Sequence, residues 1–113
     1  MSINVPQVIE GKTIPTADRF IELLNVDNNT NYATVQIIAT NKGTNTSTFQ
    51  IAITEASVPE NVEDVDLIES GDELKPRGRY SSIGLLVPGN RRIFVKANTS
   101  DVVFRATALC QVS

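Results

Sequence analysis

Apolar and polar residues alternate along most of this chain with a period of two, the pattern of strands that bury one face. The alternation is plainest in "YATVQIIATN" (32–41), where Ala33, Val35, Ile37 and Ala39 share one side and Thr34, Gln36, Ile38 and Thr40 the other. "RFIELLNV" (19–26) precedes it and is closed by the turn-forming "DNNTN". "TFQIAIT" (48–54) follows the "KGTNTS" loop with Phe49, Ile51 and Ile53 inward, and the pattern predicts that it returns as the second strand of a hairpin. "SSIGLLV" (81–87) is a further strand, ended by the tight-turn residues "PGN". These windows are rich in Val, Ile, Phe, Thr and Tyr, which suit a pleated, half-buried surface.

The stretch "RRIFVKANTSDVVFRATA" (91–108) reads as a closing hairpin around Asn98 to Asp101. Pairing across that loop sets Ala97 opposite Val102, Val95 opposite Phe104 and Ile93 opposite Ala106, an entirely apolar inner face. A one-residue slip would bury Arg92, Lys96 and Arg105, so the composition fixes which side faces inward. The outer face then carries Arg92, Phe94, Lys96 and Arg105, with Phe94 expected beneath the Arg105 guanidinium. Its ordinary account is long basic stems covering a lone aromatic on a free surface. The sharper one is a docking face for a neighbouring subunit.

Residues 60–73, "ENVEDVDLIESGDE", hold seven of the thirteen acids and no base, whereas seven of the ten basic residues lie from Lys75 onward. Glu63, Asp64 and Asp66 are the candidate acidic partners for the basic face. The local structure here is open to two readings. Pro59 and the acids after it can start a short helix or helical turn near 60–68, while the β-branched "VDLIE" followed by "SGD" suits an extended edge segment. The opening "MSINVPQVIEGKTIP" has little periodicity, and residues 1–15 are expected to form an arm before a single domain at 16–113. The fold expected is all-β: an antiparallel β-sandwich, immunoglobulin-like or jelly-roll.

A chain of 113 residues with 41% apolar and 20% charged residues supports one ordinary core. No apolar run is long enough for a membrane span, and the opening residues lack the basic and apolar regions of an export signal. With one cysteine, Cys110, no intramolecular disulfide is expected, as suits cytoplasmic synthesis. The sequons at Asn28, Asn45 and Asn98 are read as chance occurrences. The net charge of -3 argues against a nucleic-acid partner, whose phosphates demand clustered bases.

Chemistry is hard to place on these residues. There is no histidine, hence neither the commonest general base nor the commonest metal ligand. No Gly-x-Ser-x-Gly elbow and no glycine-rich phosphate loop occur, and the acids at Asp64, Asp66, Glu69, Asp72 and Glu73 lack calcium-loop spacing. The absence of tryptophan argues against a carbohydrate platform, although Tyr32 and Tyr80 remain. The expectation is a non-enzymatic protein with no cofactor and no metal.

The order of elements, an Asn/Thr-rich segment "NYATVQIIATNKGTNTSTFQIAIT" followed by "DLIESGDELKPRGRYSSIGLLVPGNRRIFVKANTSDVVFRATAL", resembles small tailed-bacteriophage virion proteins of the β-sandwich kind. The resemblance covers roughly residues 16–109 and rests on spacing and texture. It implies a structural subunit of the virion, made in the host cytoplasm: a capsid decoration or cement protein, or else a neck, tail or fibre component. Its implied partners are the major capsid or tail and neck proteins and other copies of itself. A host-glycan-binding module is the alternative from another class.

Overall fold

The computed structural model describes residues 7–112, in which the alternating windows are strands: β1 Gln7–Thr13, β2 Ile21–Val26, β3 Thr30–Asn41, β4 Ser47–Thr54, β5 Leu67–Leu74, β6 Arg79–Pro88, β7 Arg91–Ala97 and β8 Val102–Val112. They form two antiparallel four-stranded sheets packed face to face, sheet A in the order β1-β8-β3-β6 and sheet B in the order β2-β7-β4-β5. The pairs β1–β8, β2–β7, β3–β6 and β4–β5 make one long ribbon folded back at the β4–β5 loop. Rolling the ribbon sends successive pairs to opposite sheets, and the β3–β8 and β4–β7 pairings close each sheet. This is a jelly-roll order. Of the two sandwiches left open by the sequence, the immunoglobulin-like one is not adopted.

The roll corrects both expected hairpins. Every connection except β4–β5 crosses from one sheet to the other, so β3 and β4 are not paired, and neither are β7 and β8. Ile93, Val95 and Ala97 do lie inward with Val102, Phe104 and Ala106, but they meet across the gap between sheets as members of one core. Ile93 and Val95 pair within sheet B with Ile53 and Ile51 of β4, whereas Phe104 and Ala106 pair within sheet A with Ala39 and Ile37 of β3. An alternating strand specifies which side is buried. It does not name its neighbour, because a hairpin and an arch bury the same residues.

The core between the sheets is drawn from the inward sets of β3, β4, β7 and β8. Phe49 is buried in it, its ring 6.2 Å from Phe104 in an edge-on arrangement and 5.0 Å from Tyr80 in a tilted one. Such geometries add about 0.5–1.5 kcal/mol to the burial of the rings. Asn41, the last residue of β3, is also fully buried. Its Nδ2 donates to the carbonyls of Asn45 and Leu74 at 2.8 and 2.9 Å, and its Oδ1 accepts from the Gly43 amide at 2.8 Å. One buried amide thus makes three hydrogen bonds, two of them to backbone carbonyls.

Residues 7–13 correct the expectation of an arm reaching to residue 15. They form β1, an edge strand of sheet A paired with β8 from Gln7↔Cys110 to Thr13↔Phe104; residues 1–6 lie outside the described residues. The "QVIEGKT" alternation is weak because an edge strand buries little, and because Gly11 occupies an inward position opposite Ala106. A side chain there would run into the Leu23 carbonyl of β2. The acidic stretch realises both readings in part, with 3₁₀ turns at Pro59–Asn61 and Asp64–Asp66 and then β5 at the edge of sheet B. Among the described residues no helix is long and apolar enough to cross a membrane.

Candidate interaction surface

The two outer faces of the sandwich are built differently. On sheet B the β4–β5 loop, residues 55–66, lies over the strands. Asp66 Oδ2 accepts from the Thr54 hydroxyl of β4 at 2.8 Å and from the Glu63 amide at 3.0 Å, which anchors the loop's second turn. Pro59 and Glu60, in its first turn, share a hollow with Arg19 and Phe20 just ahead of β2. Because β7 lies between β4 and β2, the loop crosses β7. That crossing explains Phe94, an outward residue of β7 that is nonetheless only 1% exposed and lies apart from the main core. Its register neighbours are Ala52 of β4 and Glu22 of β2.

The basic face expected on 91–108 is therefore divided and largely occupied. Phe94 is enclosed within its own molecule, which corrects its assignment as a contact residue. Arg92 Nε pairs with Glu22 Oε1 at 2.8 Å, and Arg91 pairs with Glu55 at 3.0 Å. The Lys96 ammonium stands 4.8 Å from the centre of the Phe20 ring, so the cation–π contact expected between Arg105 and Phe94 is made by a different pair. Arg105 belongs to the other sheet, on the opposite side of the sandwich. Of the acids, Asp66 is the anchor just described, while Glu63 and Asp64 are exposed at the loop surface. Val65 between Asp64 and Asp66 is 87% exposed.

Sheet A has no such cover among the described residues. Its outward residues fall into rows across the strands, because cross-strand partners point the same way. One row runs Val8, Leu109, Thr34 and Leu86, with Tyr32 and Pro88 in the next. Val8 is 63% and Leu86 68% exposed, and Ile83 stands out beside them at 79%, next to the bulge formed by Gly84 at φ 78°. Toward the other end of the face the row Lys12, Arg105, Ile38 and Ser81 is followed by Val103, Thr40 and Arg79. Arg79 and Arg105 border a hollow of about 300 Å³ floored by Gln36, Ile38, Thr40 and Thr107. Among the described residues Lys12, Arg79 and Arg105 form no ion pair.

At the β5–β6 edge one polar clasp joins the sheets. Tyr80 of sheet A donates its hydroxyl to Glu69 Oε1 of sheet B at 2.8 Å. A hydrogen bond shared with Asp72 and then partial burial push the Glu69 carboxyl above its ordinary pKa. Burial, followed by the bond to Glu69, pushes the Tyr80 phenol up as well. Asp72 and Glu69 are the nearest approach to a shared-acid site, yet no three acids converge as metal ligands among the described residues.

Sequence reasoning missed the apolar row and Arg79. Val8 sat in a segment read as an arm, Leu86 in "SSIGLLV" with its neighbouring strands unassigned, and Arg79 between the elements that the alternation predicted. Their shared face depends on the β6–β3–β8–β1 order, which no local pattern carries. Phe94, an aromatic on a polar side, signalled only the cover over sheet B. Compared with known proteins, the sequence matches no family model and no curated protein.

Proposed function

We propose that this chain is a non-enzymatic structural subunit acting through protein–protein contacts, of the kind that decorates the capsid of a tailed bacteriophage. The observation that carries the contact role is the outer face of sheet A. It is four strands wide and, among the described residues, holds an exposed apolar row beside three cations without acid partners and carries no covering loop, whereas the opposite face is covered. Exposed apolar rows of this kind lose free energy when a partner excludes water, about 25 cal/mol for each Å² covered. The virion assignment is supported by the resemblance in element order. The jelly roll agrees with it, since viral capsid domains use that roll, but lectin domains use it too and a fold alone does not choose a function.

The reading is tested on particles made by the genome that encodes this chain. Quantitative mass spectrometry of purified particles should find the protein in stoichiometric copies, and a Leu86→Ser/Leu109→Ser variant should fold normally yet be depleted from them. Absence from particles would overturn the reading. Intact particles that fail only to adsorb to the host when the protein is deleted would replace it by the glycan-binding one.

A further inference from the structure

Two surfaces left without ion-pair partners among the described residues are complementary, and they lie on opposite sides of the sandwich. Among the described residues of sheet A, Lys12 and Arg105 are direct cross-strand partners of like charge with Glu10 the one acid lining a hollow with them, and Arg79 faces a second hollow with Arg105 that no acid lines. On the far side, the 55–66 loop presents Glu60, Glu63 and Asp64, all exposed and in no ion pair among the described residues, with Arg19 sharing a hollow with Glu60 and Arg91 lining one with Glu63. Val65 projects among them from the Asp64–Asp66 turn, which the bonds of Asp66 to Thr54 and to the Glu63 amide hold in shape. An apolar tip flanked by acids therefore stands on the side opposite an Ile38-floored hollow bordered by two arginines.

Resting on the reading of sheet A as a contact face, we infer that its occupant is the 55–66 loop of a second copy of this chain. Val65 enters the hollow over Ile38, and Glu63 and Asp64 meet Arg79 and Arg105. Bringing the two charge clusters together relieves the repulsion within each and attracts across the contact. Because face and loop lie on opposite sides, a copy that receives one neighbour offers its loop to another. The contact is heterologous, and it builds a ring or an open stack.

Analytical ultracentrifugation of the full chain tests this. The wild-type protein should form concentration-dependent species larger than a dimer, weakened as salt is raised from about 0.05 M to about 0.5 M. Arg79→Glu/Arg105→Glu should weaken association about tenfold or more, and so should Glu63→Lys/Asp64→Lys, each with a wild-type circular dichroism spectrum. An equimolar mixture of the two variants should recover it, because the reversed face of one then fits the reversed loop of the other. A loop variant that associates like wild type would overturn the inference, since the face would then meet itself or sheet edges would pair. A protein that stays monomeric at about 1 mM in low salt would also overturn it. If the Arg79/Arg105 variant were nevertheless lost from particles, the partner would be another particle protein and the proposed function would stand. Self-association by a protein absent from particles would sink that function and leave the inference intact.

Discussion

The outer faces of sheets A and B start from similar alternating strands and end with opposite fates. Sheet B's outer side includes Phe94 and Ala52 and is roofed by the molecule's own loop, with Arg92 and Lys96 engaged by Glu22 and Phe20. Sheet A's outer side keeps Val8, Leu86 and Ile83 in solvent beside unpaired cations among the described residues. The same kind of residue therefore does different work on the two sides. An outward aromatic on β7 is enclosed within the fold, while outward aliphatics on β1, β6 and β8 stay exposed.

The comparison can be broken most sharply by truncating one outward apolar residue on each side. Phe94→Ala should lower the free energy of unfolding in urea by about 3 kcal/mol or more, the cost of emptying a buried aromatic site. Leu86→Ala on sheet A should change it by less than about 0.5 kcal/mol, as at an exposed surface position. Equal losses would mean that both faces are covered. Removing the anchor is the next largest effect. Asp66→Ala deletes the bonds to Thr54 and to the Glu63 amide and should cost about 1–2 kcal/mol, with hydrogen exchange accelerated in residues 55–66. If exchange there stays slow, the loop is held by packing alone.

Lys96→Met should have a smaller effect, about 0.5 kcal/mol, because an exposed cation–π contact is weak and the methionine keeps the apolar stem over Phe20. The pH dependence at the joint between the faces is the finest probe. Glu69 holds its proton more tightly in the folded chain than in the unfolded one, so its contribution is full below its ordinary pKa and is lost as pH rises through the raised value. Glu69→Gln retains an acceptor for Tyr80 and removes this loss. The variant should gain on the wild type, in urea midpoint, as pH rises from about 4 toward neutrality. A gap that does not vary with pH would mean that Glu69 titrates normally.

Much of the fold was legible in local pattern. The inward sets of β3, β4, β7 and β8 follow from alternation alone, and so does the exclusion of Arg92, Lys96 and Arg105 from the core. β1 was illegible because an edge strand with an inward glycine carries almost no apolar period. The contact residues were only partly legible. Arg105, Glu63 and Asp64 are exposed as expected, whereas Phe94 is enclosed and Arg92 and Asp66 are tied within the chain.

By itself the sequence determined which side chains of β3, β4, β7 and β8 point inward, since a period of two leaves one apolar face that must leave water. The tertiary structure alone decided which strands are neighbours, and with that which outward residues share a face. Arches and hairpins bury the same residues at nearly the same cost, so local alternation cannot choose between them. The choice falls to the rolled pairing of β1 with β8 and β2 with β7, contacts between residues far apart along the chain.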